Sequence, residues 1–158
     1  MPRHAYKRLP VDNDPIYDSF EVAKLINYVM IDGKKNVARK CVYEAIKELA
    51  KETPDDPLKL LHKAIGSVQP TVEVRPRRIG GASYLVPVEV RKARKIYLAL
   101  NWIIDAANAR SNKEYRTFTA KLVAEIKDAA NGLGAAIAKR QQVEKMAEAN
   151  KAFSHLKW

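Results

Sequence analysis

The sequence predicts an all-α fold: a six-helix, bundle-like body with one inserted, protruding β-hairpin arm. Three observations lead there. Five segments repeat apolar residues at i, i+3, i+4 spacing, and a sixth is rich in Ala and Lys. Residues 71–90 instead alternate with period two on either side of Gly80-Gly81. Positive charge gathers on and just after that stretch: Arg75 to Lys95 holds seven Lys/Arg and one acid, Glu89, a local net of +6 within a chain of +11.

Residues 1–18 read as an extended N-terminal arm. Pro2, Pro10 and Pro15 punctuate it, no periodic apolar face appears, and Arg3, Lys7 and Arg8 make its start basic. The first helix starts near Ser19, a suitable cap, and carries Val22, Leu25, Ile26, Val29 and Met30 on one face, with Gly33 at its C′ position. Asn36 is placed to cap the second helix, whose stripe is Ala38, Cys41, Val42, Ala45 and Leu49. Asp56-Pro57 offers a cap followed by Pro at the first position of the third helix. Leu61, Ala64, Ile65 and Val68 form the face of that helix, and Pro70 stops it.

In the hairpin, Val72 and Val74 alternate with Glu73 and Arg75, and Tyr84, Val86, Val88 and Val90 alternate with Leu85, Pro87 and Glu89. Gly80-Gly81 supplies the positive φ angles of a tight turn. Two strands alone are only marginally stable, so the ribbon must lean on the body. The fourth helix, about 91–110, is apolar almost all round through Ile96, Leu98, Ala99, Leu100, Trp102, Ile103, Ile104 and Ala107, which predicts a central position. Asn112 is placed to cap a fifth helix with Tyr115, Phe118, Leu122 and Ile126 inward, ended by Asn131-Gly132. The sixth, about 135–149, has few large apolar residues and belongs at the edge of the bundle. Residues 150–158 form a C-terminal tail, and the whole chain, 1–158, fits a single domain.

Bulk properties narrow the function. A chain of 158 residues, 47% hydrophobic, buries enough surface to need no staples. Cys41 is the single cysteine, so no internal disulfide and no cysteine cluster for a metal can form, which suits a reducing cytosol. The opening MPRHAYKR leads into no apolar stretch, so no secretory signal is visible, and the most apolar run, Ile96 to Ile104, is interrupted by Asn101 and too short to span a bilayer. A net charge of +11 points to a polyanion, with nucleic acid and an anionic membrane surface both open at this level. IDGKKN at 31–36 lacks the upstream glycine and trailing Ser/Thr of a phosphate loop, and His4, His62 and His155 are scattered. With no nucleophile motif, metal-ligand set or cofactor fingerprint, neither an enzyme nor a cofactor is expected.

The binding candidates are therefore the basic residues. Arg75, Arg77 and Arg78 lie on the first strand and toward its turn, while Arg91, Lys92, Arg94 and Lys95 lie where the second strand meets the fourth helix. Antiparallel pairing brings both groups near the ribbon, as a solvated face or as a contact for phosphate, which guanidinium binds in paired hydrogen bonds. Lys34 and Lys35 fit either a solvent-facing turn or a phosphate contact. Tyr84 can stack on a base or pack against Val72 or Val74 across the ribbon. Ile79 is an apolar residue at an exposed tip. In the tail, Lys151, Phe153, His155 and Trp158 can grip RNA by charge and stacking, or pin the tail to the body.

Five segments carry a resemblance: MPR at 1–3, MIDGKKN at 30–36, QPTVEVRPRRIGGASYLVPVEVR at 69–91, WI at 102–103 and MAEANKAFSHLKW at 146–158. From end to end the chain resembles the bacterial small-subunit ribosomal protein seven family. It departs at Gln69, at residues 131–135 and at Gln141-Gln142. The resemblance implies a helical body with a β-ribbon and a structural constituent of the small ribosomal subunit in the cytoplasm, with no membrane partner. It further implies a primary binder of the 3′ major domain of small-subunit ribosomal RNA that nucleates head assembly. Arg3, Lys7, Arg8, Lys34, Lys35, Arg75, Arg77, Arg91, Lys92, Arg94 and Lys95 are then the ribosomal RNA contacts. Arg78, Ile79, Gly80, Gly81, Ala82 and Tyr84 come near exit-site transfer RNA and messenger RNA, and neighbouring head proteins and ribosomal protein eleven are partners. The alternative is a free-standing RNA-binding translational regulator using the same surface.

Overall fold

The structure, a computed structural model, describes residues 11–52 and 56–156. Among these, α1 (Phe20–Val29), α2 (Lys35–Glu52) and α3 (Pro57–Val68) precede the hairpin strands β1 (Val72–Ile79) and β2 (Ala82–Glu89). Then follow α4 (Lys92–Ala109), α5 (Phe118–Ala130), α6 (Ala135–Ala149) and a short 3-10 helix, Lys151–Leu156. The body is mostly helical, and its one sheet among the described residues is the antiparallel pair. Within the segment expected as a C-terminal tail, 150–158, residues 151–156 form this 3-10 helix.

Local chemistry explains most boundaries. Ser19 Oγ accepts the Val22 N–H at the start of α1, and the Asp56 carboxylate accepts the Leu58 N–H ahead of Pro57. The end of α5 is a Schellman turn: with Gly132 at φ +75°, its N–H reaches the Ala129 carbonyl while Leu133 N–H reaches that of Asp128. Three expected caps move. Gly33 does not close α1, because Met30 already turns extended; Asp32 and Gly33, at φ +54° and +71°, form a separate tight turn closed by Lys34 N–H to Ile31 carbonyl at 3.0 Å. Asn36 does not cap α2: the Lys34 carbonyl accepts the Ala38 N–H, which places Lys34 at the cap and Asn36 inside the first turn. Asn112 does not cap α5 either, since Thr117 Oγ1 accepts the Ala120 N–H and Tyr115 stays in the preceding loop.

One apolar core joins all six α-helices through Leu25, Ile26, Ile46, Leu49, Leu61, Leu100, Ile103, Leu122, Ile126 and Ile137, among others. The most buried helix is α5, packed against α2, α3, α4 and α6. The helix expected to be central, α4, shares that position, packing against α1, α3, α5 and α6. The first turn of α4 is charged and exposed, and its buried residues start only at Ala99.

Two polar networks lie within this frame. Asp14 accepts the Ile16 and Tyr17 N–H groups and the Tyr43 hydroxyl at 2.7 Å, which anchors the segment before α1 to α2. Burial and that bond push the Tyr43 phenol up to about 12. In the second network, Arg110 donates to Glu125 Oε2 from Nε at 2.9 Å and from Nη2 at 2.6 Å, and also donates to Asp128. Glu125, only 1% exposed, accepts the Ala136 N–H with its other oxygen at 3.1 Å, so one carboxylate ties α4, α5 and the start of α6 together. Gly134 makes room for it: at φ +94°, an added Cβ would sit 2.9 Å from Glu125 Oε1.

The hairpin leans on the end of the chain. α6 packs against β1, the 3-10 helix packs against β2, and the Thr71 N–H donates to Glu144 at the ribbon's root. Gly80 and Gly81, at φ +56° and +88°, give the two-residue turn that right-twisted strands need. That turn pairs Ile79 with Ala82 and thereby sets every pair behind it, including Arg77 with Tyr84 and Val74 with Pro87. Opposed residues share a face, so the valines of β1 and those of β2 lie on opposite faces. Tyr84 therefore does not pack on Val72 or Val74; its ring meets Phe153, centroids 5.3 Å apart. On β1 the buried residue is Glu73, while Val72 and Val74 are half-buried.

Candidate nucleic-acid interface

Between α1, the hairpin root and the start of α4 lies an open groove of about 970 Å³. Phe20, Lys24 and Tyr28 line it from α1, Arg75 and Arg77 from β1, Val88 and Glu89 from β2, and Arg91, Ala93, Arg94, Ile96 and Tyr97 from the connection and α4. Five cations and three aromatic rings thus face one exposed acid, Glu89. The aromatics are interleaved with the charges. Arg94 lies over the Tyr97 ring at 4.9 Å, Tyr97 meets Tyr28 edge-on at 5.4 Å, and Lys24 lies over Phe20 at 5.4 Å.

Glu73 underlies this wall. Its Oε1 accepts Arg75 Nε at 2.7 Å as well as Arg75 Nη2, and its Oε2 accepts Arg94 Nε at 3.2 Å. Burial alone would raise the Glu73 carboxyl, but the two guanidiniums hold it below the usual carboxylate range. The start of α4 adds to the positive field. Arg91 occupies the cap position without a side-chain cap bond, and the first turn holds Lys92, Arg94 and Lys95 with no acid. Cations at the positive end of a helix dipole are locally unfavourable, and an external phosphate reverses the sign of that interaction.

The structure brings together Arg75, Arg77, Arg91 and Arg94 of the expected RNA contacts; Lys92 and Lys95 sit on the same first turn of α4. Lys34 and Lys35 do not join them. Lys34 is exposed, 3.9 Å from Asp32, and Lys35 borders a separate cavity of about 340 Å³ beside Asp12, Asn13 and Arg39. At the ribbon turn Arg78, Gly80, Gly81 and Ala82 are exposed and Ile79 is half-buried, so the expected bare apolar tip is partly covered. At the C-terminus, Lys151 pairs with Glu148 at 3.1 Å, His155 Nδ1 lies 2.9 Å from the Ala152 carbonyl, and Phe153 is spent on Tyr84. Arg3, Lys7, Arg8 and Trp158 lie outside the described residues.

Sequence reasoning missed Phe20, Lys24, Tyr28 and Tyr97. A signal was there: Phe20, Lys24 and Tyr28 stand at i, i+4 and i+8, a second face of α1 beside the Val22–Leu25–Ile26 stripe, and Tyr97 follows Arg94 by three. Among the described residues no group of His, Cys, Asp or Glu is arranged to hold a metal ion, and no helix is long and apolar enough to cross a membrane.

A helical body with a basic, aromatic-lined groove offers the kind of surface that nucleic-acid-binding proteins use. The family model described as Ribosomal protein S7p/S5e matches residues 1–151. Among curated relatives, a protein of Thermosipho africanus named small ribosomal subunit protein uS7 is 52% identical, covering 94% of both chains. Proteins of the same name from a Sulfurihydrogenibium species and from Mycolicibacterium vanbaalenii are 51% and 48% identical over the full length of both chains. The chain belongs to the ribosomal protein S7p/S5e family. Membership makes it a structural, non-enzymatic component of the small ribosomal subunit, at work in cytoplasmic translation.

Proposed function

We propose that this protein is a primary binder of the 3′ major domain of small-subunit ribosomal RNA and nucleates the head of that subunit. The supporting observation is the convergence of Arg75, Arg77, Arg91 and Arg94 with Lys24 and three aromatic side chains in one groove. Such a surface offers paired hydrogen bonds to phosphates and stacking partners for bases, the two contacts by which proteins hold folded RNA. The hairpin turn, from Arg78 to Ala82, then reaches toward exit-site transfer RNA and the messenger RNA path, with neighbouring head proteins and ribosomal protein eleven as contacts.

Chemical footprinting on full-length small-subunit RNA tests the proposal. The expected result is protection confined to the 3′ major domain, lost when Arg75, Arg91 and Arg94 are changed together to Ala in a variant that keeps its helical circular dichroism. Protection elsewhere, or protection that survives the triple change, rejects the assignment of domain or groove respectively.

A further inference from the structure

Beneath the groove wall lies an acid where a polyanion site has least use for one. Glu73 is 7% exposed, and its two oxygens grip two arginines from different elements, Arg75 two residues along β1 and Arg94 on α4. Both arginines remain about half exposed at their side chains, 53% and 46%, and both line the groove. Glu73 takes the Nε–H of each and one Nη of Arg75, which leaves the other guanidinium N–H groups for a ligand. The Tyr97 ring under Arg94 restricts that side chain further.

We infer that Glu73 is a positioning residue: it holds Arg75 and Arg94 as a preformed pair of forks whose fixed separation selects the phosphate spacing of the cognate RNA. The inference rests on the groove being the RNA surface. Free arginines carry large rotamer entropy that binding must remove, and two arginines already held in place lose less of it. Glu73 also bonds the hairpin to α4 and so sets the distance between two walls of the groove.

The test turns on sign. Glu73→Gln removes a negative charge from a polyanion site, so charge alone tightens binding. Loss of positioning weakens it. In titrations of the 3′ major domain transcript, Glu73→Gln is expected to bind about tenfold more weakly. Its preference for that transcript over an unrelated RNA duplex of equal length should fall as well. Glu89→Gln, which removes the exposed acid of the same groove, is expected to bind more tightly. Equal or tighter cognate binding by Glu73→Gln, with preference intact, overturns the inference. Arg75→Ala and Arg94→Ala separate the two levels: if both bind like the parent protein, the groove reading itself falls; if both weaken while Glu73→Gln does not, only the role of Glu73 falls. Should Glu73→Gln unfold, the unaltered protein still decides. The Nε–H resonances of Arg75 and Arg94 should keep their Glu73-bonded positions in the RNA complex, and their shift to the free-arginine position on binding overturns the inference.

Discussion

Arg110 and Glu125 show how much one buried carboxylate can govern and how little of that is visible locally. Burial alone would lower the Arg110 guanidinium, but hydrogen bonds to Asp128 and Glu125 raise it above its ordinary value. Removing one partner strands the other. Arg110→Ala is therefore expected to destabilise by about 3–5 kcal/mol, comparable to the roughly 2–5 kcal/mol expected for Leu100→Ala, a fully buried aliphatic. Urea unfolding measures both, and an Arg110→Ala midpoint equal to that of the parent protein would show that the network contributes nothing. Leu100 was legible as core because its periodicity is local. Arg110 was not legible as a structural residue, because its partners lie 15 and 18 residues away on another helix. The same holds for Glu73: β1 alternation marks it as the polar phase of a strand, and its partner Arg94 stands 21 residues away on α4.

At the scale of elements, helices were legible in existence and face, less so in their ends. Ser19, Asp56 and Asn131-Gly132 act as their chemistry suggests, whereas Asn36 and Asn112 were outcompeted by a turn at Asp32-Gly33 and by Thr117. A cap needs the right backbone geometry as well as the right side chain. The hairpin register was fully available: a two-residue Gly-Gly turn forces Ile79 opposite Ala82, and counting back from there puts Tyr84 opposite Arg77. What counting could not supply is Phe153, which reaches Tyr84 from the far end of the chain. α6 and Glu144 hold the root, and Phe153 meets Tyr84 at the third pair from the turn, so only the turn and the two pairs next to it are separable from the rest. Replacing residues 78–83 by Gly-Gly, which keeps Arg77 opposite Tyr84, is expected to leave subunits that assemble but release exit-site transfer RNA faster. Filter-binding retention on purified subunits checks this; unchanged retention removes the turn from that role, and absent subunits place it in the primary RNA site.

For the whole molecule, net charge of +11 foretold a polyanion partner but not which surface meets it. The groove is assembled from residues 20–28, 75–89 and 91–97, and its third wall exists only because α1 packs against α4. That contact has no local signature, which is why the α1 residues escaped a reading that found the arginines. If the assembled surface is the binding surface, affinity must depend steeply on salt, with each phosphate contact adding roughly −0.9 to the log–log slope by analogy with duplex DNA. A slope of about −4 or steeper is expected for the 3′ major domain transcript, shallower once Arg75 and Arg94 are both Ala. A slope near zero, measured by titration across a salt series, would remove the basic surface from the interaction.

The Tyr84–Phe153 contact also sets an order in time. During synthesis the side chains that line the groove emerge by residue 97, while α5, the most buried helix, follows only at 118–130 and the cover over β2 comes last, at 151–156. The nascent chain thus carries the groove cations before its most buried helix, and the ribbon stays unclasped until residues 151–156 have emerged. A chain halted between residues 97 and 151 would therefore carry the groove cations without the Phe153 contact that covers β2.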